Sequence, residues 1–171
     1  TTSGVASLTT STVNKGSYDN CKLDSVTIHK STFNCTDLGV NQILLKVKDN
    51  SGNQSLQYVT VNVIDTVMPI INYKNVNCYL NSSGIGKISE QDVNNGSYDN
   101  CSIVSYTLSQ QVFDCNEMGT NFVTFSIKDK AGNVTSQSVK VTVIDTIKPA
   151  IKVKNVSLYL NQYGYSVLSP S

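Results

Sequence analysis

The chain has 171 residues, of which 13 are Lys or Arg and 12 are Asp or Glu, and its formal net charge is +1. This balance provides neither a basic stripe for nucleic acid nor a polybasic patch for an anionic membrane surface. The charge balance therefore predicts no nucleic-acid partner. No apolar run approaches the roughly 18 residues of a membrane-spanning helix, so the sequence also predicts no membrane span in this segment.

The most informative feature of the sequence is a repeat with an offset of 80 residues. The hexapeptide GSYDNC at residues 16–21 returns unchanged at 96–101, and VIDT at 63–66 returns at 143–146. A fixed period of this length is typical of a tandem array. Such arrays usually bind, space or adhere, and they seldom catalyse.

The repeat divides the chain into three parts. Residues 1–68 form a first immunoglobulin-like repeat that lacks its first strand, residues 69–148 form a complete second repeat, and residues 149–171 supply the first strands of a third. We call the first two parts the first repeat and the second repeat. A unit of this size has a marginal core, so we expect covalent reinforcement.

In chain order, the second repeat predicts six or seven strands and no helix. The predicted segments include Ile71–Leu80, Ile85–Val93, Val104–Leu108, Phe113–Cys115, Val123–Ile127 and Val139–Val143. Apolar and polar residues alternate in the last two segments, which is the period of a half-buried strand. The Gly-containing loop at 129–133 joins these two strands as a hairpin. The pattern predicts an all-β fold of tandem immunoglobulin-like β-sandwich repeats with an 80-residue period.

The repeat also sorts the five cysteines. Cys21 with Cys35 corresponds to Cys101 with Cys115, and each pair encloses 15 residues. The sequence therefore predicts two disulfides within repeats, each contributing about 3 kcal/mol, in an oxidising space at the cell surface or beyond. Zinc is the competing interpretation, but this spacing is poor for a zinc site. Cys78 has no partner, and its counterpart 80 residues later is Leu158. Cys78 is therefore expected to be a buried free thiol or half of an intermolecular bridge.

Acidic residues recur at the predicted boundary between repeats. In an immunoglobulin topology, Asp99 and Asn100, the hairpin loop at Asp129, and Asp65 in the entry segment meet at one end of the second repeat. Three carboxylates in one place repel unless a cation lies among them, and calcium prefers such oxygen ligands. The alternative is that each Asp only stabilises its own turn. Equivalent half-sites are predicted at Asp19, Asp49 and Asp145.

The repeated motifs occur in an order that resembles a known family of repeat modules. GSYDNC is followed by Phe-x-Cys, Leu/Met-Gly-x-Asn, Asp-x-x-Gly-Asn and VIDT-x-x-Pro, and together these motifs extend over nearly the whole chain. They resemble the hyalin-repeat (HYR-like) modules of giant surface adhesins of flavobacteria and their relatives. The resemblance implies an immunoglobulin-like fold, secretion to the outer cell surface, and a role in adhesion or gliding motility.

The resemblance also implies a set of O-glycosylation candidates. Relatives in this bacterial phylum use an Asp-(Ser/Thr)-apolar pattern as acceptor, and the pattern occurs here at Ser25, Thr66 and Thr146. The sequence thus predicts a glycoprotein with attachment points near both predicted linkers.

The residues give no support for catalysis. His29, which is the single histidine, has Ser109 as its counterpart, so no general base recurs. We expect a non-enzymatic stalk whose partners are adjacent repeats of the same chain. The alternative is that exposed loops and tyrosines bind surface glycans or proteins. Outward residues such as Tyr58 differ between the repeats, which favours the stalk.

The last predicted segment suggests one further partner. Residues 150–160 repeat a strand that the first repeat lacks, and an open sheet edge invites strand addition. End-to-end strand addition between neighbouring molecules is therefore a prediction from the sequence.

Overall fold

A computed structural model of the protein describes residues 3–166. The described chain consists mainly of β-strands, which confirms the all-β prediction at this level. In the first repeat the strands are β1 (Val5–Ser7), β2 (Leu23–Ile28), β3 (Thr32–Asn34), β4 (Gly39–Asp49) and β5 (Gln54–Val63). In the second repeat they are β6 (Val76–Tyr79), β7 (Ile85–Lys87), β8 (Ile103–Leu108), β9 (Val112–Asp114), β10 (Gly119–Asp129) and β11 (Val134–Ile144).

The strands form two sheets in each repeat. In the second repeat, a four-stranded sheet has the order β6-β11-β10-β8, and β7 pairs with β9 in a small second sheet. In the first repeat the corresponding sheets are β2-β4-β5 and β1-β3. All pairs are antiparallel except β6, which runs parallel to β11. Each strand of the first repeat thus has a counterpart 80 residues later, but β6 has no counterpart among the described residues that precede β1.

The alternation of apolar and polar residues along the strands determines which side chains form the core. In β10, Val123, Phe125 and Ile127 are buried with at most 2% of their surface exposed. They pack with Val139, Val141, Val143, Phe113, Val93, Ile88, Leu80 and Cys78 in the core of the second repeat. The first repeat has a smaller buried set, consisting of Phe33, Ile43 and Leu45. The first repeat is therefore less completely closed than the second.

The prediction of no helix is wrong in detail. Short α-helices occur at α1 (Thr10–Val13) and α2 (Glu90–Val93), and single 3-10 turns follow β3 and β9. The predicted strand that continued to Val93 ends at Lys87, because a Ser-x-x-Asp pattern begins a helical turn there. Ser89 donates its backbone N–H and its hydroxyl to Asp92 Oδ2, both at 2.8 Å.

The predicted strands of a third repeat do not form over residues 149–166, which carry no strand assignment. An unpaired segment has no ladder partner and is not stable as a strand. Its turn nevertheless copies one in the second repeat: Gly164 N–H donates to Asn161 O at 2.9 Å, as Gly84 does to Asn81 O. Residues 167–171 lie outside the described residues. No helix within residues 3–166 is long and apolar enough to cross a membrane.

Candidate metal centre at the junction between the repeats

In the second repeat, the strand register places Cys101 and Cys115 at opposite ends of the four-stranded sheet. Asp129 at the end of β10 pairs with Ile103 at the start of β8, and Cys101 lies just before Ile103. Cys115 instead precedes Gly119, the first residue of β10. A strand of 11 residues is about 35 Å long at roughly 3.3 Å per residue. The Cα atoms of a disulfide are only about 4.4–6.8 Å apart, so this pair cannot bond.

The disulfide in the structure joins the two repeats. Cys35 bonds to Cys101 with a Cα–Cα distance of 5.2 Å. The presence of a disulfide confirms that part of the prediction, but the predicted pairing of Cys21 with Cys35 and of Cys101 with Cys115 is wrong. Cys21 and Cys115 are exposed free thiols, because the strands carry them to the outer ends of the two repeats. A disulfide is compatible with an extracellular compartment.

The linker between the repeats is fixed by side chains of the second repeat. Asn133 donates from Nδ2 to the backbone oxygens of Asp65 at 3.2 Å and Val67 at 3.1 Å. Thr135 donates its hydroxyl to Pro69 O at 2.7 Å. Sequence reasoning missed both residues as junction residues, although Asn133 closes the Asp-x-x-Gly-Asn motif that the repeats share. These bonds hold the linker backbone against the hairpin loop between β10 and β11.

Three carboxylates meet beside the disulfide. Asp65 comes from the linker, Asp99 from the loop before β8, and Asp129 from the end of β10. One carboxylate oxygen from each residue lies within 4.8 Å of the other two. The structure thus brings together the three acidic residues that the sequence selected, on three different segments.

Asp129 is the buried member of this group, with 1% of its surface exposed. Its Oδ1 accepts from the backbone N–H groups of Gly132 and Asn133 at 2.7 Å, and its Oδ2 accepts from Asn133 Nδ2 at 2.7 Å. Asp129 therefore stabilises its own turn, as the alternative interpretation expects. Each carboxylate oxygen has about two lone-pair sites. Both sites of Oδ1 are used, so only Oδ2 can accept from one more partner or bind an ion.

Two buried oxygens at the junction have no hydrogen-bond partner in the described part of the chain. Asp99 accepts through Oδ2 from the N–H groups of Cys101 at 2.8 Å and Ser102 at 3.3 Å, which leaves Oδ1 without a partner. Asn100 donates from Nδ2 to both oxygens of Asp65, at 3.2 and 3.1 Å, and its Oδ1 is also unpartnered. An unsatisfied buried acceptor costs about 1–3 kcal/mol, and a cation would remove that cost.

The predicted half-site in the first repeat has the same local geometry. Asp19 Oδ2 accepts from the N–H groups of Cys21 at 2.9 Å and Lys22 at 3.2 Å, as Asp99 does in the second repeat. Asn53 donates from Nδ2 to Asp49 at 2.8 Å, and this hydrogen bond holds the pKa of Asp49 below its ordinary value. Asp19 and Asp49 both line an open groove at the outer end of the first repeat.

The other half-site lies after β11. Asp145 accepts from the N–H of Ile147 at 2.8 Å, just as Asp65 accepts from Val67 at 3.0 Å. Asp145 is exposed, whereas Asp65 is half-buried by the second repeat. The linker turn therefore forms in both places, but within residues 3–166 a repeat packs only against the turn at Asp65.

The O-glycosylation candidates differ in accessibility. Thr66 and Thr146 are exposed beside the linker aspartates. Ser25 is half-buried in β2, where its hydroxyl donates to Asp24 at 3.4 Å. A glycosylation acceptor on a folded protein must be exposed, and of the three candidates Thr66 and Thr146 meet this condition.

No protein-family model matches this chain, and no curated protein matches it. The likeness to hyalin-repeat modules therefore stays a prediction from the motifs.

The cysteine arrangement predicts a labelling pattern. In the monomeric chain, iodoacetamide should alkylate Cys21 and Cys115 quickly, because both thiols are exposed. Cys78 should react only after unfolding, because its side chain is 1% exposed and burial raises the pKa of its thiol, so the reactive thiolate is scarce. Mass spectrometry of the native and unfolded protein counts the added groups. Absence of labelling at both exposed cysteines would restore the pairing within repeats.

Proposed function

We propose that this chain is a non-catalytic segment of a long extracellular adhesin at the cell surface. Its immunoglobulin-like repeats act as a semi-rigid stalk that serves adhesion or gliding. The observation that carries the proposal is the junction, where one disulfide and several hydrogen bonds cross between the repeats. A flexible linker would leave adjacent repeats free to rotate, whereas these contacts fix the first repeat relative to the second.

Calcium is the ion that we propose for the acidic group. Calcium binds carboxylate and amide oxygens at about 2.3–2.6 Å in a flexible shell. Three oxygens within 4.8 Å of one another lie close enough to share one such ion. The free Oδ1 atoms of Asp99 and Asn100 add acceptors of the right kind. The residues therefore fit a hard divalent cation, whose charge would offset most of the repulsion among the three converging carboxylates.

Small-angle scattering tests the stalk. A scattering profile of the monomeric chain should indicate a rod with a narrow distribution of interatomic distances in calcium. We expect excess chelator to broaden this distribution, because like charges at the junction then repel, while the disulfide keeps the repeats joined. A chain that bends freely in calcium would contradict the stalk. A rigid profile that chelator leaves unchanged would retain the stalk and remove the metal.

Two substitutions test whether calcium stabilises the protein by binding at the junction. About 10 mM calcium should raise the free energy of unfolding by about 1.4–2.7 kcal/mol, if the dissociation constant is about 10⁻⁴ to 10⁻³ M as in extracellular modules. Asp129→Asn should remove most of this gain, because it removes a buried charge at the junction. Asp49→Asn, at the equivalent position of the first repeat, should retain it. Urea titrations with calcium and with chelator give the four values, and an equal gain in both variants would rule out this ion site.

A further inference from the structure

The disulfide gives the two repeats a second covalent connection besides the linker. The bond between Cys35 and Cys101 closes a loop with a sequence separation of 66 residues. The strands β4, β5, β6 and β7 lie within this loop, and so does the linker. When a chain with two covalent routes is pulled, the shorter route becomes taut first and carries the tension. Residues inside the loop therefore carry no tension while the disulfide is intact.

The other cysteines mark the outer ends of this shorter route. Cys21 lies at the outer end of the first repeat, because the nearby Leu23 pairs with Asp49 at the end of β4. Cys115 lies at the outer end of the second repeat, shortly before β10 begins at Gly119. Each repeat thus has one cysteine at the junction and one at its outer end, and the segment between them has 15 residues.

These two segments run along the repeats with little slack. In the second repeat, β8 pairs with the part of β10 nearest the junction, and β9 continues toward the outer end in the small sheet. The 11-residue strand β10 is about 35 Å long. A segment of 15 residues extends to about 50 Å at about 3.6 Å per residue. Each segment can therefore lengthen by only about 15 Å.

Tension along this route acts on strands at the edges of the sheets. Among the described strands, β8 pairs only with β10, from Leu108 opposite Phe125 to Ile103 opposite Asp129. Hydrogen bonds in an antiparallel pair lie perpendicular to the strands, so a force along β8 shears them together rather than one at a time. The register of β2 on β4 gives the first repeat the same arrangement.

We propose that the cysteines define a route for tension that makes this part of the stalk almost inextensible. Tension between Cys21 and Cys115 passes through residues 21–35, the disulfide and residues 101–115. This route extends to about 105 Å, whereas the chain from Cys21 to Cys115 would extend to about 340 Å without the disulfide. The linker contacts made by Asn133 carry none of this tension, so the junction keeps its geometry under load.

This inference rests on the proposed stalk, because a stalk is pulled along its length. In a longer array with the same spacing, Cys115 occupies the position of Cys35 at the next junction, and Cys21 occupies the position of Cys101 at the previous one. The same bond at each junction would continue the route from repeat to repeat. Tension would then reach about 15 residues of each 80-residue repeat.

Single-molecule force spectroscopy on the full chain tests this route. Cys21 and Cys115 are the exposed free thiols, so DNA handles with maleimide groups attach there through thioethers. In chelator, complete unfolding of the parent should add only about 35 Å to the contour length between the handles. Cys35→Ser/Cys101→Ser should add about 270 Å, because the tension then passes through the linker. An equal gain in the two proteins would overturn the proposal.

Reduction under tension tests whether the disulfide itself carries the force. A dithiothreitol thiolate attacks one sulfur, and its second thiol then closes a ring and releases both cysteine thiols. The disulfide gains two electrons and two protons, and dithiothreitol loses them. The parent should lengthen by one further step of about 230 Å, at a rate that rises with the applied force. A rate that does not depend on force would contradict the proposal, because the bond would then lie outside the route.

The combined results separate this inference from the proposed function. Chelator keeps the pulling experiments independent of the calcium site. A chain that bends freely in the scattering experiment but gains only about 35 Å on unfolding would retain the route and remove the stalk. A rigid chain whose parent gains as much as the serine variant would retain the stalk and remove the route.

Discussion

Replacing both cysteines of the disulfide, in Cys35→Ser/Cys101→Ser, should lower the free energy of unfolding by about 4 kcal/mol. The bond has a sequence separation of 66 residues, and closing so long a loop removes more entropy from the unfolded chain than a 15-residue loop would. The bond also joins two repeats, so its loss should separate their unfolding into two transitions. Urea titrations of the monomeric parent and variant measure both effects.

The matched control for this prediction is Cys21→Ser/Cys115→Ser. Both thiols are exposed and unbonded, so the monomer should change by no more than about 0.5 kcal/mol. If the control lost as much stability as the test variant, the disulfides would lie within the repeats. If neither variant lost stability, the bond between Cys35 and Cys101 would not form in solution.

Phe113→Ala should destabilise the second repeat by about 3–5 kcal/mol, because truncating a buried Phe leaves a cavity in a closed core. Phe113 is 0% exposed and packs in the core formed around β10 and β11. Its counterpart Phe33 is also buried, at 2%, but the valines of β5 around it are half-exposed. Phe33→Ala should therefore cost less than Phe113→Ala, because the site opens toward water and can collapse.

Urea titrations followed by segment-resolved hydrogen exchange assign each loss to one repeat. Val112→Thr is the control, because Val112 lies beside Phe113 in β9 but is 49% exposed. It should stay within about 0.5 kcal/mol of the parent. Equal losses for the two Phe variants would mean that the core of the first repeat is as closed as that of the second.

The acidic residues of the junction can be predicted from motifs, whereas the contacts that hold the linker cannot. The motifs that contain Asp99 and Asp129 recur, and a sandwich topology brings the ends of alternate strands together. The sequence therefore predicts that Asp65, Asp99 and Asp129 meet at one end of the second repeat. That reasoning is local, since each Asp precedes a turn whose position the sequence indicates. The roles of Asn133 and Thr135 at the linker were missed, because both bonds depend on the path of a segment more than 60 residues away.

The all-β character, the hairpin between β10 and β11, and the correspondence of positions 80 residues apart follow from the sequence pattern. These features depend on side-chain periodicity and turn chemistry, which act within a few residues. The short helix at Glu90–Val93 escaped this reasoning, because one helical turn carries no periodic signal.

Which cysteines form the disulfide depends on how the two repeats pack. The sequence predicts a bond between Cys21 and Cys35, because the repeat aligns this pair with Cys101 and Cys115. Cys21 and Cys35 lie near opposite ends of the 11-residue strand β4, because Leu23 pairs with Asp49 whereas Cys35 precedes Gly39. The packing of the repeats instead brings Cys35 to Cys101. Disulfide pairing depends on distances of a few ångströms between segments, and a one-dimensional pattern does not contain those distances.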